Sequence, residues 1–576
     1  MPDTDPTKNI EYYANQIAAA EHVDLTQCIR EARNELGETE WTGLVGIISV
    51  GIDNTRHSLL QPLVSVRVGP FDWILESFYA EVLARLDIGT VAMLQLISDA
   101  LKARPAEDRW TILRGFEVWA GNRGDRPGPC LDAIVAGSAP TDLVAPALRA
   151  GLLLQRKAYR EHGLAFIASG SEPIAIAAAE VLAGQNPIGK GAVRQTLSAI
   201  RKRCAILQGE PRPRLFEAAL GLAIRTTPNA VAPILKLAEP ASPAPYLSAC
   251  ARQLVIADKA PDASVVGLIS EALLQAHGLE PQTLSYLDDA IRRWLTVDSS
   301  HAAFADLLVR MILETGATFD TLDSSAGALL QVDSERRDAI LGRLLASDTF
   351  EGAHAAYQVA LKAFGEPLEP KIDFVPHVLD TETTQRIARR VAGLFAIVPV
   401  AATSILLSLL RTGPVEAADE VSSLIMDPVL ISYWEDAGDY LRKRLELETG
   451  DMSALIEALI ARLEGYVEAI RAVGFIEEMF PPERQRFLRA LKKDAESRTI
   501  TRKANEESLI ASLFQTRLVL NGDSAIYRVT IGDGESTRAE QPMQAIEHSH
   551  ALPRLDAIDP FGYWYRRRLL MNGLSA

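Results

Sequence analysis

The sharpest spacing with chemical meaning is Gly184–Gly191, GQNPIGKG, where a Gly-x-x-x-x-Gly-Lys run matches a phosphate-binding loop and Lys190 could reach a phosphate. Two requirements are unmet. A working loop needs Ser or Thr after the lysine to place magnesium, and Gly191 stands there; it also needs a preceding strand, and IAIAAAEVLA reads as helix. The stretch is expected to be an interhelix turn. Glu547-His548-Ser549-His550, with Asp556 and Asp559 nearby, would put both imidazoles on one side of an extended chain. A metal site needs three or four converging ligands with supporting hydrogen bonds, so this segment reads as polar surface. Cys28, Cys130, Cys204 and Cys250 are far apart and lack CxxC spacing, which signals neither a zinc site nor a disulfide framework. No HExxH, GxSxG or EF-hand pattern occurs, so the sequence nominates no catalytic residue, metal or cofactor.

Charge and aromatic clustering say more. Between positions 149 and 214 stand Arg149, Arg156, Lys157, Arg160, Lys190, Arg194, Arg201, Lys202, Arg203, Arg212 and Arg214, against only Glu161, Glu172, Glu180 and Glu210. On one face these cations would make an anion- or nucleic-acid-binding strip; fanned around helices they are only solvated. Tyr159 and Phe166 are the aromatics interleaved among them, which is thin for base stacking. At the other end, Tyr563-Trp564-Tyr565 precedes Arg566-Arg567-Arg568. Aromatics and arginine dominate interface hot spots, so these six residues are the partner-binding candidates.

The elements that must position these residues are helical. A chain of 576 residues with 48% hydrophobic and 23% charged residues is too long for one core and must be several domains or a repeat array. Its net charge of -16 opposes a whole-surface nucleic-acid or membrane role. The acidic start MPDTDPTKNIEYY lacks the positive charge and apolar core of a signal peptide, and a reducing cytoplasm fits. The Gly- and Pro-rich stretch 121–130, which includes Arg123-Gly124-Asp125 as a polar turn, is the expected first boundary. Beyond it Pro140, Pro173, Pro211, Pro245 and Pro281 recur at roughly 35-residue intervals, each before an apolar helical run. The uncharged run Val391–Leu410 is as long as a membrane span, but Pro399 divides it, which predicts two packed helices meeting at a corner. From Thr516 to Ile531 the period changes to alternation around Asn521-Gly522, a β-hairpin signal.

In period and pattern, residues 141–410 resemble the HEAT and armadillo class of α-solenoids, without a family consensus. The resemblance implies an all-α fold, an irregular solenoid of stacked helical hairpins, to which the alternating segment 516–531 adds a small C-terminal β-hairpin module. The expected organisation is a helical N-terminal domain (1–125), the solenoid (130–412), a C-terminal helical region (413–515), and a hairpin with an aromatic and basic tail (516–576). The expected function is a non-catalytic scaffold for one or more protein partners in an intracellular bacterial assembly. The alternatives are a nucleic-acid-binding component of a genome-maintenance or phage-defence system, acting through 149–214, and a membrane-attached component acting through 391–410. HEAT-like DNA glycosylases show that such stacks can host base chemistry, but no residue here carries that over.

Overall fold

The computed structural model describes residues 6–19, 22–54, 73–105, 108–185, 189–209, 211–238, 243–276, 278–363, 365–473, 482–507, 514–521, 524–531, 535–542 and 559–575. They are predominantly helical and divide into two compact units, Met1–Val332 and Asp333–Ala576.

The first unit opens with α1 (Pro6–Ala19), α2 (His22–Glu35), α3 (Glu38–Asn54), α4 (Trp73–Arg85), α5 (Thr90–Lys102), α6 (Trp110–Gly121) and α7 (Pro127–Val135). It continues through α8 (Val144–Leu154), α9 (Arg156–Ser169), α10 (Glu172–Gly184), α11 (Gly189–Ile206), α12 (Pro211–Thr226) and α13 (Val231–Leu235). The last helices are α14 (Ala244–Ile256), α15 (Ala263–Leu274), α16 (Pro281–Leu295), α17 (His301–Thr315) and α18 (Asp323–Gln331). From α4 onward each even-numbered helix up to α12 packs on the next even one, and the row continues through α14, α16 and α18. Beside this row, α5 packs on α7, α9 on α11, α13 on α15, and α15 on α17. The prolines explain the phasing. Pro173, Pro211, Pro245 and Pro281 open α10, α12, α14 and α16, all of one row, and Pro140 precedes the short 3-10 turn into α8. At a first helical turn the missing N–H removes no intrahelical bond.

The same spacing recurs in polar ties between neighbours of that row. The buried indoles of Trp119 and Trp294 donate to the carbonyls of Leu86 and Leu254, 33 and 40 residues away, at 2.9 and 2.7 Å. Burying an indole with its N–H satisfied retains the apolar gain without the cost of an orphaned donor. On α16 the buried positions Thr283, Leu287, Ala290, Ile291, Trp294 and Leu295 follow the helical period, and Asp288 lies among them. Its carboxylate accepts from the backbone N–H groups of Ser324 (3.0 Å) and Ser325 (2.7 Å) and from the Ser325 hydroxyl (2.6 Å). Thus α16 supplies the N-terminal cap of α18, whose own preceding residue, Leu322, has no capping side chain.

The second unit contains α19 (Ser334–Ala346), α20 (Phe350–Leu361), α21 (Thr381–Leu394), α22 (Pro399–Thr412), α23 (Ala418–Leu424), α24 (Asp436–Leu445), α25 (Asp451–Val473), α26 (Glu483–Glu507) and α27 (Pro560–Met571). The apolar run 391–410 is interior. It is the end of α21, a 3-10 turn at Phe395–Ile397, and α22 starting at Pro399, with Val391, Phe395, Ile405 and Leu406 fully buried. Among the described residues no helix is long and apolar enough to cross a membrane. Ser404 and Ser408 within this run find partners in protein, donating to the Pro370 carbonyl at 2.7 Å and accepting from the Ile372 N–H at 3.2 Å. Before α27 the backbone forms three antiparallel strands, β1 (Phe514–Asn521), β2 (Ser524–Ile531) and β3 (Glu535–Pro542), in the order β1-β2-β3.

Candidate functional site

The eleven cations between 149 and 214 do different jobs. Arg149 on α8 pairs with Glu117 on α6 at 2.7 Å, and Arg214 on α12 pairs with Glu180 on α10 at 2.6 Å. Arg252 on α14 extends this ladder to Glu217 on α12. Arg203 donates to the carbonyl of Gly170, just past the end of α9, at 2.8 Å, and Arg212 does the same for Leu237, past the end of α13, at 2.8 Å. Both place a cation at the negative end of a helix. Arg160 reaches the carbonyl of Ala192 at 2.5 Å and the Gln195 side chain at 3.1 Å. Five of the eleven, Arg149, Arg160, Arg203, Arg212 and Arg214, thus bind neighbouring helices together. They also fix a direction: Arg160 ties the start of α9 to the start of α11, and Arg203 ties end to end, so the two helices run parallel. Arg156, Lys157, Lys190 and Arg194 therefore gather at one end of the pair, and Arg201 and Lys202 at the other. At 1.5 Å per residue, Lys190 and Lys202 are roughly 18 Å apart along the axis.

The other sequence motifs resolve simply. The segment before the Gly184–Gly191 run is the helix α10, and Gly189 sits at φ +75 as it opens α11; residues 186–188 lie outside the described residues. Arg123 pairs with Asp87 at 2.8 Å in a polar turn. His548, His550 and Asp556 lie outside the described residues, while Asp559 caps α27 by accepting from the Gly562 N–H at 2.9 Å. Among the described residues no group of three His, Cys, Asp or Glu side chains is placed to hold a metal. Burial pushes the thiols of Cys130, Cys204 and Cys250 up to about 12, 11 and 12, so at neutral pH they stay protonated and unreactive.

The C-terminal cluster is built onto α27, one side of which is anchored. Leu570 is buried, Arg567 donates to the Gly393 carbonyl on α21 at 2.9 Å, and Arg566 pairs with Asp427 at 2.9 Å. Arg389 returns a bond to the Gly573 carbonyl at 3.2 Å. Gly393 makes this crossing possible, since a Cβ there would stand 2.5 Å from the backbone nitrogen of Met571. Tyr563 is half-buried, and Arg568 is exposed.

No family model matches this sequence, and no curated protein matches it.

The outer side of α27 carries the aromatics. Phe561, Trp564 and Tyr565 are 82%, 55% and 60% exposed. The Phe561 and Tyr565 rings stack at 6.5 Å with 7° between planes, and the Arg567 guanidinium lies 5.1 Å from the centre of the Trp564 ring. Stacking and the cation–π contact hold the rings in one orientation. Phe561 was absent from the residues nominated by sequence; once the segment is a helix, its spacing of three and four from Trp564 and Tyr565 puts it on their face.

Proposed function

We propose that the chain is a helical-repeat scaffold of the α-solenoid kind that holds a protein partner on the outer face of α27, with Phe561, Trp564 and Tyr565 as anchors and Arg568 beside them. The observation that carries this reading is the division of α27 into a fixed side and a displayed side. Large exposed rings normally cost free energy in water and are retained where a surface covers them. Here they are pre-ordered by stacking and by the anchoring of Arg566 and Arg567, which lowers the entropy lost on binding. Replacing Phe561, Trp564 and Tyr565 together by Ala is expected to reduce capture of the native partner from cell extract at least tenfold, as a hot-spot loss of more than about 1.4 kcal/mol would do. Circular dichroism should stay unchanged, because the anchoring residues are untouched. Equal recovery of every co-purifying protein would remove the reading.

A second reading, nucleic-acid binding, is favoured by a different observation from the one in the sequence. Arg517, Arg528 and Arg538 share one cross-strand row of the sheet. In α26 every residue from Glu483 to Lys503 is exposed, and that stretch holds eight Lys or Arg against three acids. On this reading, duplex DNA shifts in a low-salt gel assay, the shift weakens steeply with salt, and Arg528→Glu with Lys492→Glu abolishes it while Arg201→Glu with Lys202→Glu does not. Absence of any shift at low salt excludes it.

A further inference from the structure

Where the starts of α9 and α11 meet the ends of α8 and α10, the first unit holds a cavity of about 330 Å³. Its floor is hydrocarbon: Leu152, Leu182, Val193 and Leu222 all line it and are all buried. Its rim is cationic, with Arg156, Lys157 and Arg160, and among the described residues no acidic one lines it. Thr196 adds no polarity to the floor, since its hydroxyl is turned onto its own helix and donates to the Ala192 carbonyl at 3.1 Å. The parallel starts of α9 and α11 add the positive ends of two helix dipoles to the same rim.

The geometry points to a binding site for a small amphiphilic anion, a carboxylate or phosphate monoester carried on an alkyl chain or a single ring system. Each half of the site excludes a simpler ligand. An inorganic anion would leave the apolar floor wet, and a neutral hydrocarbon would gain nothing from three cations. A nucleic-acid strand does not enter a space at the small end of ligand pockets. A ligand with both parts gains from burying apolar area, at about 25 cal/mol per Å², and from charge-assisted contacts at the rim. The site shares no residue with the α27 face.

The test uses the full chain and the dye 1-anilinonaphthalene-8-sulfonate as probe, with octanoate, octyl phosphate, octanol and inorganic phosphate as competitors. Octanoate and octyl phosphate should displace the dye, octanol should do so at least tenfold more weakly, and inorganic phosphate should not compete. Lys157→Glu, at an exposed position, should weaken octanoate at least tenfold; Ala192→Phe, which fills the cavity, should abolish displacement; and Lys202→Glu, at the far end of α11, should change nothing. Should Ala192→Phe fail to fold, Lys157→Glu against Lys202→Glu still decides. Equal octanoate binding by those two variants, or inorganic phosphate competing as well as octanoate, overturns the proposal. Neither outcome bears on partner capture by α27.

Discussion

Replacing Asp288 by Ala is expected to loosen α18 from the first unit while leaving the distant helices protected. The substitution strips two backbone N–H groups and a hydroxyl of a charged acceptor in a site where Asp288 is 8% exposed and Ser325 is fully buried. Unsatisfied buried donors together with a lost cap cost roughly 2–4 kcal/mol, which corresponds to a fall of about 30- to 700-fold in amide protection. Hydrogen exchange read by mass spectrometry should place that fall in α18 and in the facing turns of α16, because α18 packs directly on α16. Ser325→Ala, which removes one of the three bonds, should cost about 1 kcal/mol. If Asp288→Ala left α18 as protected as before, the capping role would be wrong.

Gly393→Ala is the second large effect, and its sign is informative. Helix propensity alone would make Ala stabilising by about 1 kcal/mol within α21. The contact geometry reverses this, because the new methyl would meet the Met571 nitrogen at 2.5 Å and the Leu570 carbonyl carbon at 2.9 Å, both of them backbone atoms that cannot turn aside. Overpacking of this kind costs about 1–3 kcal/mol. The expected result is release of α27, seen as trypsin cleavage at Arg566–Arg568 accelerated about 5- to 150-fold, since proteolysis follows the population of the open form. A variant with unchanged cleavage and raised thermal stability would show that α27 does not dock on α21.

How much of this was readable beforehand depends on whether a feature is written in one segment or made by two. Prolines at 173, 211, 245 and 281 mark the starts of their helices because the reason is local: a residue without an N–H fits a first turn. Pro399 likewise split the 391–410 run, as the corner between α21 and α22 shows. The basic strip was not readable as a surface. Whether Arg160 and Arg203 face solvent or a neighbour's carbonyl depends on α9 and α11 being parallel, which no pattern within either segment specifies. Asp288 reads as an error in an apolar face until α18 is brought beside it. Gly393 looks like a weak point in a helix until another backbone crosses there. β3, ESTRAEQP, lacks the apolar alternation that marks β1 and β2, so only its pairing with β2 identifies it as a strand.

The outer face of α27 is the part of the account on which function rests. A photo-reactive phenylalanine analogue placed at Tyr565 in native cells, with a second placed at the exposed Leu447 for comparison, addresses it directly. The account predicts a discrete cross-linked species at position 565, of fixed mass and containing one other protein, which is lost when Phe561 and Trp564 are changed to Ala and is absent at position 447. Cross-links at 565 confined to the chain itself, or the same adducts from both positions, would contradict it.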